Sequence, residues 1–185
     1  MLSRLNLKLN CILLSFFLVT PANADKWYFE KEATDKDYQF GDTTITLSID
    51  ATVNQQFPDF IIDVKAKEIL LARYKNVAFE QVFAAEDNSV FVGLSNDGLP
   101  GTAIVVFDNK GNLRLEVKHR FANLDYCSQS EFRQRIWFDG VNPAFEFKFD
   151  EKQSLQDMFV NDCKGQRISL FTLIDNIYKR DLSEK

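Results

Sequence analysis

Alternation constrains this chain more than any other feature. Most of it reads apolar, polar, apolar, with turn residues at short intervals, which is the signature of antiparallel strands with one face buried. Residues 44–50 set Ile45, Leu47 and Ile49 on one face. Residues 60–67 set Phe60, Ile62, Val64 and Ala66 inward, and Asp63, Lys65 and Lys67 outward. Residues 68–74 are apolar on both faces and fit a central strand or a short helical turn. Over residues 81–119 the turn signals are 86–89, 96–101 and 108–112, so Val90–Ser95, Thr102–Phe107 and Leu113–His119 form a meander. Thr102–Phe107 is its buried middle strand.

Downstream, residues 120–131 read as a polar loop. Residues 132–138 and 144–150 read as a hairpin around 139–143, with Phe145, Phe147 and Phe149 alternating against charged positions. Ser154 looks like the N-cap of a short helix over residues 154–160, with Leu155, Met158 and Phe159 on its apolar side. Residues 167–174 read as a last strand, and 175–185 as a frayed or disordered tail. The expected fold is mainly β: an antiparallel meander forming a two-sheet sandwich or open barrel, with one short helix. The meander also has the strand spacing of a propeller blade, but too few residues follow for most propellers.

The first 24 residues stand apart. Arg4 and Lys8 precede an apolar stretch from Cys11 to Val19, and Ala22-Asn23-Ala24 offers small residues at both positions a signal peptidase requires. Cleavage after Ala24 leaves residues 25–174 as a single β domain plus the tail, a size suited to one core. The destination is the periplasm or the secreted space of a bacterial envelope. The absence of an N-x-S/T sequon leans towards a bacterium. Loss of Arg4 and Lys8 takes the formal net charge from −5 to −7. An acidic surface disfavours nucleic acid, and the mature part has no apolar run of spanning length. Cleavage also removes Cys11, so Cys127 and Cys163 remain as an even pair in an oxidising compartment and are expected to form a disulfide.

Catalytic side chains are scarce. His119 is the sole histidine. It follows the inward row of its strand and reads as a strand-end residue bonded to a neighbouring loop rather than a general base. Gly93-Leu94-Ser95-Asn96-Asp97-Gly98 misses the nucleophile-elbow spacing by one residue and runs into Pro100, so it reads as a loop. Asp108-Asn109-Lys110-Gly111-Asn112 breaks the calcium-loop pattern at Lys110 and reads as a tight turn. No cofactor or metal is called for.

Two basic clusters remain: Lys118-His119-Arg120, and Arg133 with Arg135. Both flank the Cys127 loop. Trp137 alternates with the two arginines, so it is expected on their face and exposed, as in an interface hot spot. These six residues form the expected binding face for a protein partner. The functional expectation is an exported binding protein of inhibitor, immunity or accessory type. A glycan or cell-wall hydrolase using carboxylates or His119, and a carrier of a small apolar ligand, are the alternatives.

Overall fold

The computed structural model describes residues 29–120, 122, 124–129, 134–152 and 154–175. The expected leader over residues 1–24, the tail beyond residue 175 and Arg133 lie outside the described residues. The fold is mainly antiparallel β, with strands over 54% of the structure and no closed barrel.

The first sheet comprises β1 (Ala33–Phe40), β2 (Thr43–Asp50), β3 (Asp59–Ala66) and β4 (Ile69–Lys75), in that spatial order. The second comprises β5 (Gln81–Ala84), β6 (Val90–Leu94), β7 (Thr102–Asp108) and β8 (Leu113–Lys118), also in sequence order. Next come the short ribbon of β9 (Ser128–Gln129) and β10 (Arg135–Ile136), and the third sheet of β11 (Glu146–Phe149), β12 (Leu155–Asn161) and β13 (Arg167–Ser169).

Two cores flank the second sheet, so the sandwich carries a third layer. Ile45, Leu47, Phe60, Ile62 and Val64 of the first sheet pack with Phe91, Val105 and Phe107. Val92, Leu94, Ile104 and Val106, from the opposite face of the second sheet, pack with Trp137, Phe138, Met158, Val160 and Leu170. That is why every residue of β7 is buried: both of its alternating rows face a core. A ring stack of Phe83 on Phe145, centroids 4.3 Å apart, ties the second sheet to the segment entering the third.

Gly93 marks where the first core is tightest. A Cβ there would lie 2.7 Å from both Phe79 Cδ1 and Val105 Cγ1, so only glycine fits beneath the phenylalanine. Cys127 and Cys163 form the expected disulfide, 36 residues apart with Cα atoms separated by 6.1 Å. Closing a loop of that length contributes about 3–4 kcal/mol by the chain-entropy estimate.

Several local expectations are corrected. Residues 68–74 are neither a central strand nor a helical turn: β4 is an edge strand, bonded to β3 alone among the described residues. β1, acidic and exposed, is a strand the sequence reading passed over. Residues 154–160 are not a helix. β12 pairs with both β11 and β13, and Met158 and Val160 are its buried period-two row. Ser154 N–H donates to Asp150 Oδ1 at 2.8 Å, so Ser154 closes the β11–β12 turn instead of capping a helix. Cross-strand pairing on both sides outweighs a weak local helical pattern.

The helix lies at residues 170–175, where a continuing strand was expected. Thr172 N–H donates to Ser169 Oγ at 3.0 Å, an N-cap that turns the chain out of β13. The hairpin of residues 132–138 with 144–150 is absent as well. Arg135 and Ile136 pair with Gln129 and Ser128, and β11 pairs with β12.

Candidate functional site

Of the six residues expected to form a binding face, Arg133 lies outside the described residues, and the other five do not share one exposed face. Trp137 is the largest correction: it is 1% exposed. Its indole Nε1–H donates to Ser95 O at 2.8 Å, and its backbone N–H donates to Asn96 Oδ1 at 2.9 Å. Cys163 N–H donates to Trp137 O at 3.0 Å. The segment is therefore bonded to the second sheet on one side and to the β12–β13 turn on the other. Simple alternation fails because β10 ends at Ile136, and consecutive Trp137 and Phe138 are both buried between layers. The hot-spot expectation assumed one solvent face, and this segment has none.

His119 is 3% exposed. Its Nδ1 lies 3.2 Å from Tyr126 Oη, which in turn lies 3.2 Å from His119 O. Its Nε2 faces the carbonyls of Ser95 and Asp97, yet closes no hydrogen bond of good geometry among the described residues. Burial, reinforced by the nearby Arg135 charge, lowers its pKa to about 4, against the partial opposition of those two carbonyls. The ring is thus neutral at physiological pH and enclosed, which suits a buried strand-end residue better than a general base. Burial pushes the Tyr126 phenol upward, an effect that Arg135 opposes by its charge and by a hydrogen bond.

Lys118 leaves this cluster. Alternation turns it to the other face of β8, where Nζ donates to Asn76 O at 3.0 Å and pairs with Glu116. Arg120 is exposed at the strand end. Among the described residues of the expected face, the fold brings His119 and Arg135 together through Tyr126, and His119 and Trp137 both reach the Ser95 carbonyl.

Several aspartates serve turns. Asp108 Oδ1 accepts Lys110 N–H at 3.0 Å and Asn112 N–H at 2.8 Å, closing the β7–β8 hairpin. Asp50, Asp87, Asp139, Asp150 and Asp162 make the same kind of contact to backbone N–H groups two residues on. The Thr52 hydroxyl and then its N–H hold the Asp50 carboxyl below its usual range, the Ser89 hydroxyl and then its N–H do so for Asp87, and the Asn142 and Val141 N–H groups do so for Asp139. No group of three or more His, Cys, Asp or Glu is arranged to hold a metal ion among the described residues. Nor is any helix there long and apolar enough to cross a membrane.

Three surface features went unread in the sequence. One is an open cleft of about 280 Å³ beside β1, walled by Phe29, Tyr38, Leu47, Phe60 and Phe79. The Lys36 ammonium lies over the Tyr38 ring there, 4.8 Å from its centroid. Another cleft, of about 330 Å³, lies against Trp137, Leu124, Ile168 and Leu173, with Asp125 and Asp162 at its rim.

The third feature is the β4 edge. Ile69, Leu70 and Leu71 are 68%, 48% and 40% exposed on a strand with one unpaired side. Between Val64↔Ala72 and Lys65↔Leu70 the register slips, so Leu71 is the extra residue of a β-bulge. The signal was present as three consecutive apolar residues followed by Arg73-Tyr74-Lys75. It was read as burial because both-face hydrophobicity usually means an interior strand. Gly111, at φ +81°, packs against Leu71 and Ala72, and Tyr74 Oη donates to its carbonyl at 2.6 Å, fixing the strand against the second layer. Compared with known protein families, curated proteins and solved structures, the chain matches none.

Proposed function

We propose that this chain is an exported binding protein of the bacterial envelope or secreted space, and that it engages a protein partner through the β4 edge. The observation that carries this reading is the run Ile69-Leu70-Leu71, exposed along a strand that pairs with β3 on one side and with no strand on the other among the described residues. Such an edge is a template for an added strand, and natural proteins rarely leave one apolar without a use. The export part rests on the leader motif and is supported by the disulfide, which persists in oxidising compartments. A hydrolase is disfavoured on the chemistry of the groups themselves: a histidine enclosed and neutral, and aspartates engaged as turn acceptors.

The test is a cross-linked capture. The oxidised chain, tagged at its C-terminus, is incubated with envelope and culture extracts of its source beside two variants. Leu70→Lys alters the edge. Val53→Lys alters the 94% exposed Val53 in the β2–β3 loop. The reading expects one stoichiometric partner lost with Leu70→Lys and kept with Val53→Lys. No partner, or one retained by Leu70→Lys, overturns it.

The aromatic cleft beside β1 supports a second reading, a carrier of a small apolar ligand. Organic extraction of the purified chain then yields a bound molecule that a Phe60→Asp variant lacks.

A further inference from the structure

We propose that one occupant of the β4 edge is the β1 edge of a second copy of this chain, so that copies add head to tail and extend the first sheet. This rests on reading β4 as a docking edge and names its partner. The argument is one of register and charge.

The first sheet has four strands, each antiparallel to the next. An even number means that a translated copy presents β1 antiparallel to the preceding β4, continuing the alternation without a break. The cross-strand pairings also define side-chain rows across the sheet. One row runs Asp35, Ser48, Ile61, Lys75, and the next runs Asp37, Thr46, Asp63, Arg73. Extending these rows into a second copy places its Asp35 beside Lys75 and its Asp37 beside Arg73, at the strand spacing of about 4.8 Å. A third row, Phe40, Thr43, Ala66, Ile69, lies beyond the Leu71 bulge and is one residue out of step with the first two, so it adds no contact in their register.

Opposite charge therefore meets opposite charge at two positions of a single register. Neither Asp35 nor Asp37 makes an ion pair among the described residues, whereas Arg73 already holds Asp63 at 2.6 Å and would sit between two carboxylates. The contact is heterologous and does not close on itself, so the assembly is an open series.

The experiment is sedimentation analysis of the disulfide-bonded chain, as an exporting host processes it, over a wide concentration range and at low and high salt. The expected result is a mass that climbs with concentration through successive species and falls with added salt. Asp35→Lys opposes Lys75 and should weaken association roughly tenfold or more; both positions are exposed, so the monomer keeps its fold. The double reversal Asp35→Lys with Lys75→Glu should restore it. Leu70→Lys, blocked on β4, mixed with Asp35→Lys, blocked on β1, should give a one-to-one complex that grows no further. A monomer at all concentrations, or a symmetric dimer insensitive to Asp35→Lys, overturns the inference. If the chain is monomeric yet Leu70→Lys still loses its captured partner, the binding-edge reading stands and only this occupant is wrong.

Discussion

Protonating His119 should destabilise the fold as the pH falls below neutral. The ring is 3% exposed, with the Arg135 charge nearby, and its pKa is lowered from 6.5 to about 4. A depressed histidine binds its proton more weakly in the native state than in the unfolded one. Between those two values the unfolded chain is therefore charged and the native chain is not, so stability falls as the pH falls. Below the native pKa both states are charged and the loss levels off. The full shift corresponds to about 3 kcal/mol. Between about pH 7 and about pH 5, linkage predicts a loss of about 2 kcal/mol.

The window is clean because the chain has one histidine. The aspartates with displaced pKa values are all lowered from 3.8, so at pH 5 they are ionised in both states. Urea unfolding at both pH values, with unchanged m, measures the difference. A His119→Gln variant should lose the dependence. Equal wild-type stability at the two pH values, or the same drop in the variant, refutes the buried-neutral assignment.

Two further substitutions test the packing. Gly93→Ala puts a methyl group against Phe79 and Val105, so it should cost about 1–3 kcal/mol of overpacking, read as a lower urea midpoint; an unchanged midpoint would mean that the two inner layers yield easily. Trp137→Ala removes the largest fully buried side chain and should cost about 3–5 kcal/mol. Trp137→Phe should lose less, since it keeps most of the packing and forfeits the Nε1–H bond to Ser95 O. Near-native stability of Trp137→Ala would return Trp137 to the surface.

The correspondence between sequence and structure follows the range of the interactions involved. Turn chemistry and alternation are local, and they were legible. Asp108 and Gly111 bound the β7–β8 hairpin where they were expected to. The all-apolar Thr102–Phe107 run became the buried middle strand. The Phe145, Phe147 and Phe149 row kept its alternation against exposed Glu146 and Lys148. An even pair of cysteines sufficed for the disulfide once Cys11 was assigned to the leader.

Alternation says which residues share a face, and nothing about what covers that face. Leu155–Asn161 carries a pattern short enough to suit helix or strand, and only β11 and β13 on either side decide for strand. Ile69, Leu70 and Leu71 looked interior by composition, yet sheet order placed them at an edge. Trp137 looked exposed by parity, yet a third layer closed over it. By itself the sequence determined the strand period, the turns and the one cross-link, because each depends on neighbours in the chain or on a count. Tertiary structure decided which edges stay open, which aromatic residues are covered and how His119 titrates, because each depends on groups brought together from distant segments.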